Sequence, residues 1–236
     1  MTTAVLFDLG GTLVEYFGRE EFPAILREAI GEVESCLRAR GLLRSVPEAT
    51  WEAAQGENRE SSDARVRPLA DRLARIFQLS GTDLDEELST ALCRAFLRPI
   101  FARGHLYEDA VPTLVELRQR GIRTAIVSNT TWGSPGSLWR KEVARHGLLH
   151  CVDQVVFCTD VGWRKPDPRI FHHALQRLRA RPEDCLFVGD DPRWDLVGPR
   201  GMGMEAVLIA RPGRQPPEDE AAISHLRQLW GRLDGA

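Results

Sequence analysis

Lysine is scarce in this sequence. Only Lys141 and Lys165 occur among its 31 basic residues, and arginine supplies all the others. The chain also lacks any uninterrupted apolar stretch of about 18 residues, the length that a membrane-spanning helix needs. Its first residues, MTTAVLFDLGGTL, have neither the basic start nor the long apolar run of a secretory leader. These absences predict a protein with no membrane partner and with the cytoplasm as its location.

Cysteine usage and net charge exclude two further classes of protein. The five cysteines are odd in number and contain no C-x-x-C pair, which favours free thiols in a reducing compartment over a disulfide framework. The formal net charge of −3 provides no basic excess, so we expect no nucleic-acid partner. With 43% hydrophobic residues, the 236-residue chain can bury one or two compact domains. No feature of the sequence indicates an oligomeric state.

Short apolar runs alternate with helical patterns at the start of the chain and after Tyr107. Five such runs are predicted to be strands, at residues 3–9, 122–127, 155–158, 185–188 and 205–209. Helices are predicted at residues 108–120, 134–145 and 168–179. Because the strands are apolar almost throughout, both faces of their sheet must be covered, which is typical of a parallel sheet built from βαβ units. The predicted fold is α/β, with a Rossmann-like parallel sheet.

Residues 16–101 differ from this pattern. They have helical periodicity almost throughout, as in FPAILREAIGEVESCLRARG, and show no strand-like alternation. The predicted division is therefore an α/β core domain of residues 1–15 and 103–236, with an inserted all-helical domain of residues 16–102.

Polar side chains follow the predicted strands at their carboxyl ends. Asp8 closes the first apolar run, Ser128 follows the second, and Asp190 with Asp191 follows a later one, while Lys165 lies in the loop GWRKPDP. Ligands of open α/β sheets bind beyond the carboxyl ends of the strands. These side chains should therefore converge on one site.

The residue types at this predicted site suit phosphoryl chemistry. Clustered carboxylates bind hard divalent cations such as Mg²⁺. A metal ion and a lysine together offset phosphate charge, so that the Asp8 carboxylate can attack and form an aspartyl-phosphate. Ser128 would hold one phosphoryl oxygen, and free backbone N–H groups of the turn at residues 10–12 could hold another.

The ordered motifs resemble those of the haloacid dehalogenase superfamily, in particular its phosphatase-like branch with a helical cap. The first motif of that family, D-x-D-x-T, appears as Asp8-Leu9-Gly10-Gly11-Thr12, the second as Ser128-Asn129, the third as Lys165-Pro166-Asp167-Pro168 and the fourth as Gly189-Asp190-Asp191 with Asp195. The resemblance covers nearly the whole chain. It implies that the helical insertion is a cap that closes over the site and selects the substrate.

The resemblance also implies a role for each matching residue. Asp8 would be the nucleophile, with Lys165 and Ser128 as its catalytic partners, and the substrate would be a small phosphorylated metabolite. Substrate contacts would come from Gly11, Thr12 and Asn129, and Mg²⁺ would be held by Asp8, the Gly10 carbonyl, Asp190 and Asp195. Two alternatives stay open at this point: Asp195 could instead cap the helix that follows it, and Asp191 has no defined role.

Gly10 departs from the family pattern. The aspartate that usually occupies this position protonates the leaving group and then activates water, and glycine has no side chain for either task. Loss of a positioned acid–base group lowers a rate by about 10²–10⁴-fold. We therefore expect slow turnover, above all of alkyl phosphates with poor leaving groups.

Three other functions are compatible with parts of the same motif pattern. A degenerate relative that binds phosphate or a protein without turnover is supported by Gly10 alone. Carbon–halogen hydrolysis is suggested by Trp194-Asp195, but the Asp190-Asp191 pair near a nucleophilic carboxylate would be repulsive without a metal ion. Carbon–phosphorus hydrolysis, which in the family depends on a cap lysine, is excluded because residues 16–101 contain no lysine.

Overall fold

The apolar runs of the sequence form the strands of a parallel sheet. The computed structural model describes residues 2–44, 46–58, 63–80, 84–212, 216–217 and 220–233. The strands within them are β1 (Ala4–Phe7), β2 (Val14–Glu15), β3 (His105–Leu106), β4 (Arg123–Ser128), β5 (Gln154–Phe157), β6 (Cys185–Gly189), β7 (Glu205–Ile209) and β8 (Ala222–Ile223). Six of them make one parallel sheet in the order β5-β4-β1-β6-β7-β8. The predicted α/β fold is confirmed.

Strand β1 lies in the interior of the sheet, between β4 and β6. Phe7 is paired with Ile126 on one side and with Val188 on the other. All residues of β1 are buried; Phe7 belongs to the hydrophobic cluster on one face of the sheet and Leu6 to the cluster on the opposite face. Burial on both faces explains why the strand reads as a continuous apolar run.

Helices cover the sheet and fill the long insertion between β2 and β3. Those in the described residues are α1 (Phe22–Arg38), α2 (Pro47–Glu57), α3 (Leu69–Phe77), α4 (Glu86–Ala102), α5 (Ala110–Gln119), α6 (Gly136–Arg145), α7 (Cys158–Val161), α8 (Pro168–Leu178), α9 (Val197–Gly201) and α10 (Trp230–Leu233). Within this part of the chain, none has the length and apolar character that a bilayer crossing demands. Helix α6 begins at Gly136, directly after Ser134-Pro135, and the Ser134 hydroxyl accepts a hydrogen bond from the Trp139 indole at 2.8 Å.

The helical insertion leaves and re-enters the sheet domain at one place. β2 and β3 form a two-stranded antiparallel sheet, in which Val14 pairs with Leu106 and Glu15 with His105. Sequence patterns did not predict this sheet, nor β8, because a two-residue strand is too short to show a periodicity. Between them α1 packs along α4, and the block α1–α4 is helical as expected. That residues 16–102 form a domain of their own stays a prediction.

A buried ion pair fastens the turn after β1 to the start of α5. Arg211 and Asp109 are 4% and 1% exposed, and the guanidinium donates to both carboxylate oxygens, at 2.8 and 2.9 Å. The same guanidinium donates to the Thr12 carbonyl at 3.2 Å through Nε. Asp109 also accepts the backbone N–H of Leu226, at 2.8 Å. These contacts tie a segment near the C-terminus to the turn that follows Asp8.

Replacement of Arg211 by methionine is expected to lower the free energy of unfolding by about 3–5 kcal/mol, because it leaves the Asp109 carboxylate buried without its partner. Urea denaturation measures the change. The control is Arg118→Met, an exposed arginine of α5, which should shift stability by less than about 0.5 kcal/mol. A double variant with Asp109→Leu should lose less stability than Arg211→Met alone. Equal losses in the single and double variants would contradict the pairing.

Candidate active site

The sheet brings the predicted strand-end residues together at one edge. Asp8 follows β1 directly and its backbone N–H donates to the Val188 carbonyl at 2.9 Å. Ser128 ends β4, and Asp190 follows Gly189 at the end of β6. Because β1 has β4 and β6 as its neighbours, the three polar side chains reach the same edge.

This edge forms the floor of a cavity of about 550 Å³. The predicted site residues that line it are Asp8, Gly10, Gly11, Ser128, Asn129, Lys165, Asp190 and Asp195. Thr12 does not line the cavity: its side chain is fully buried, and its hydroxyl has no hydrogen-bond partner among the described residues.

Lys165 joins two of the carboxylates. Its ammonium group donates to Asp8 Oδ1 at 2.5 Å and to Asp195 Oδ1 at 2.7 Å, and the side chain is only 2% exposed. Burial alone would lower the pKa of this ammonium group, but the charges of Asp195 and Asp8 outweigh it and hold the pKa above its usual value. Lys165 is therefore a fixed cation that stays protonated.

Asn129 positions the loop that carries this lysine. The Asn129 side chain accepts the backbone N–H of Lys165 at 2.8 Å and donates to the Lys165 carbonyl at 3.3 Å. The second and third motifs of the sequence are thus hydrogen-bonded to each other. Asn129 was predicted as a substrate contact, and its observed contacts add a positioning role for the ammonium group.

Asp195 reaches the site from a π-helical turn, Pro192–Leu196. Its carboxylate accepts the backbone N–H of Asp191 at 3.0 Å, and burial raises the pKa of the carboxyl group against the opposing charge of Lys165. A Cβ at Gly189 would lie 2.3 Å from the Asp195 carboxyl carbon, so only glycine fits there. The cap of this turn is Asp191, which accepts the Arg193 N–H at 2.9 Å. The alternative that Asp195 is the cap is therefore wrong.

The site contains an acidic cluster that suits a cation. One carboxylate oxygen each from Asp8, Asp190 and Asp195 lies within 4.8 Å of the others. All the donors are hard oxygens, the type that Mg²⁺ and Ca²⁺ prefer. A single ammonium group does not neutralise the cluster, and the donor set fits a divalent ion.

Tyr16 occupies the space beside Gly10, and sequence reasoning missed it. A Cβ at Gly10 would lie 3.6 Å from Tyr16 Cδ2, an ordinary van der Waals contact. The hydroxyl of Tyr16 is buried without a partner among the described residues. Burial, together with the nearby Glu142 charge, raises the pKa of this phenol. The tyrosine lines the cavity as a neutral, largely apolar wall.

Residues of the helical block also line the cavity. The Trp132 indole donates to the Asn58 side chain at 3.0 Å, and its ring packs on Phe96 with centroids 5.2 Å apart. Val66 N–H donates to the Gly162 carbonyl at 3.0 Å. A Cβ at Gly133 would lie 2.2 Å from the Arg67 carbonyl oxygen, so glycine permits this close approach. Asn58, Val66 and Arg67 of the helical block thus contact the loops that follow β4 and β5.

Comparisons with known proteins agree with this arrangement. A family model described as haloacid dehalogenase-like hydrolase matches residues 2–203. Phosphoserine phosphatase of Thermus thermophilus is 34% identical over 198 residues, which are 81% of this chain and 76% of that protein. Glyceraldehyde 3-phosphate phosphatase of Methanopyrus kandleri is 30% identical over 217 residues, 89% of this chain and 85% of that protein.

Two further similarities cover almost the whole chain. The crystal structure of a phosphatase from Thermococcus onnurineus superposes with a TM-score of 0.69 at 28% identity, over 100% of this chain and 99% of that one. (S)-2-haloacid dehalogenase 4A of Burkholderia cepacia is 28% identical over 98% of this chain and 94% of its own length. Both hydrolytic activities are therefore represented among the relatives.

Proposed function

Because the chain belongs to the haloacid dehalogenase-like hydrolase family, we propose that it is a Mg²⁺-dependent phosphatase of a small phosphorylated metabolite, which forms an aspartyl-phosphate on Asp8. The observation that carries the proposal is the buried Lys165–Asp8 pair, at 2.5 Å, beside the acidic cluster and open to the cavity. The phosphatase names of the relatives at 34% and 30% identity support it.

Asp8 is well placed to act as the nucleophile. Lys165 donates to Oδ1, so the other carboxylate oxygen is the one that attacks the phosphorus atom. A bond forms between this oxygen and phosphorus as the bond from phosphorus to the ester oxygen breaks, and the leaving oxygen takes a proton from water. Water then hydrolyses the acyl-phosphate to inorganic phosphate and restores the Asp8 carboxylate. Lys165 and the Ser128 hydroxyl stabilise the charge on the phosphoryl oxygens during both steps.

Mg²⁺ would be held by the carboxylates of Asp8 and Asp190 and by the Gly10 carbonyl, with Asp195 as an outer ligand through water. The ion supplies charge neutralisation for the phosphoryl group when it is bound. Residues 16–102 would act as the cap domain, because Asn58 and three arginines of this block line the same cavity as the acidic cluster.

Gly10→Asp is expected to raise kcat for alkyl phosphates by about 10-fold or more, because it supplies a carboxyl group for acid–base catalysis. The contact with Tyr16 at 3.6 Å leaves room for the new Cβ. Steady-state hydrolysis of glycerol 3-phosphate measures the gain, and Gly10→Ala is the matched control for the added Cβ. If Gly10→Asp is no faster than Gly10→Ala, another group already protonates the leaving oxygen.

Dehalogenation is the second candidate. It is favoured by the 28% identity with a dehalogenase over nearly the full length. The cluster of Asp190 and Asp195 next to Asp8 opposes it, since a nucleophilic carboxylate without a metal ion would be repelled by its neighbours.

Purified protein assayed with p-nitrophenyl phosphate and with 2-chloropropionate separates these functions. We expect phosphate ester hydrolysis that requires Mg²⁺ and stops on chelation, with no chloride release. Chloride release that survives chelation would establish the dehalogenase instead. Phosphate binding without turnover of either p-nitrophenyl phosphate or acetyl phosphate would identify a degenerate, non-catalytic relative.

A further inference from the structure

Arg72 is a largely buried cation that lines the same cavity as the acidic cluster. It lies on α3, its side chain is 12% exposed, and it lines the cavity. Its Nη1 donates to the Glu57 carbonyl, and its Nε donates to the Arg67 carbonyl at 3.5 Å. The guanidinium group lies 5.3 Å from the centroid of the Trp132 ring, which holds it in one orientation.

The charge of Arg72 is poorly neutralised by the protein. Its nearest carboxylate, Glu57, is 4.0 Å away and is already held by Arg75 through two hydrogen bonds, at 2.6 and 2.9 Å. Burial lowers the pKa of Arg72, and the nearby charges of Arg164 and Arg67 add to the effect, against the attraction of Glu57. A desolvated cation of this kind is costly unless an anion approaches it.

Two further arginines of the helical block, Arg67 and Arg65, also line the cavity. Arg67 forms an ion pair with Asp63 at 3.0 Å, and Arg65 lies over the Trp163 ring at 5.0 Å. Among the described residues, no hydrogen bond is recorded for the second terminal nitrogen of Arg72, Nη2. The cavity is thus lined both by an acidic cluster that suits a metal ion with a phosphoryl group and by the Arg72 guanidinium.

We propose that the substrate carries, besides its phosphoryl group, a second anionic group that the Arg72 guanidinium binds. This inference rests on the proposed phosphatase function and narrows its substrate class to phosphorylated carboxylic acids or bisphosphates of a few carbon atoms. Both groups are oxyanions that a planar guanidinium recognises. An uncharged alcohol at this end of the substrate would leave Arg72 desolvated and without an anion.

A matched series of three-carbon substrates tests the proposal. 3-Hydroxypropyl phosphate, 3-phosphonooxypropanoate and propane-1,3-diyl bisphosphate differ only in the group opposite the reacting phosphate. In the wild type we expect kcat/KM for the carboxylate or the bisphosphate to exceed that for the alcohol by about 10- to 100-fold, the effect of a charge-assisted hydrogen bond. The preferred compound identifies which oxyanion fits.

Arg72→Gln should reduce this preference to less than about 3-fold, and Arg72→Lys should keep part of it. The control is Arg94→Gln, an exposed arginine of α4 in the same helical block that does not line the cavity. Its substrate preference should equal that of the wild type. Because the readout is a ratio within each variant, a general loss of folded protein leaves it unchanged.

Equal kcat/KM values for all three compounds in the wild type would overturn the inference and leave the phosphatase function intact. An equal loss on all three in Arg72→Gln would overturn it as well, by assigning Arg72 a purely structural role. If no phosphate ester is hydrolysed, the proposed function itself fails. Calorimetric binding of the same compounds to the Asp8→Asn variant with Mg²⁺ then decides the inference without turnover: tighter binding of the two compounds with a second anionic group supports it, and equal binding overturns it.

Discussion

Asp8→Asn is expected to lower the turnover of p-nitrophenyl phosphate by about 10⁴-fold or more, since an amide cannot form the aspartyl-phosphate. The substitution preserves the shape of the side chain, and Lys165 keeps its contact with Asp195 at 2.7 Å. The fold should therefore survive. Steady-state kinetics measures the loss, and thermal denaturation of the same preparation shows that the variant is folded.

The control for Asp8→Asn is the same exchange at an exposed site. Asp71 lies on α3 with its side chain in solvent and does not line the cavity. Asp71→Asn should retain wild-type turnover. Activity of Asp8→Asn at more than a few per cent of wild type would remove Asp8 as the nucleophile and with it the proposed mechanism.

Lys165→Arg is expected to lower kcat by about 10²-fold or more, although it keeps the positive charge, because a misplacement of about 1 Å in an active site has this effect. The ammonium nitrogen lies between Asp8 and Asp195, and the Lys165 side chain is only 2% exposed. Arginine would have to place a wider, planar guanidinium group where a single ammonium nitrogen now donates to two carboxylate oxygens. Added volume in a packed interior also forces its neighbours to move.

The matched control for Lys165→Arg is Lys141→Arg, because these two residues are the only lysines of the chain. Lys141 is exposed on α6, and its exchange should leave kcat unchanged. If Lys165→Arg is as active as Lys141→Arg, any positive charge near the carboxylates is sufficient. The two hydrogen bonds of the ammonium group to Asp8 and Asp195 would then not be required for catalysis.

The sheet and the floor of the site could be predicted from the sequence because their signals are local. Each strand is a short apolar run, and Asp8, Ser128 and Asp190 stand where such runs end. The rule that parallel strands present their carboxyl ends at one edge then brings distant residues together. Lys165 was recognised only by the order of the motifs, since a lysine in a proline-rich loop is usually a solvated charge.

The walls of the cavity could not be predicted in the same way. Arg72 lies on the polar side of an amphipathic helix, a pattern that looks the same whether that side meets water or a closed cavity. The packing of Tyr16 against Gly10 depends on how the helical block rests on the sheet. Such contacts arise from tertiary structure, for which neither residue type nor periodicity gives a signal.

The ion pair of Arg211 with Asp109 connects a segment near the C-terminal end of the chain to the turn that follows Asp8. The family match ends at residue 203, and Arg211 lies beyond it, yet its guanidinium holds the Thr12 carbonyl in the turn after Asp8. A recombinant fragment limited to residues 2–203 would retain every cavity-lining residue. It would lose Arg211 and with it the hydrogen bond to the Thr12 carbonyl in the turn after Asp8. Boundaries for expression are therefore better placed after the segment that includes Leu226, whose backbone completes the contacts of Asp109.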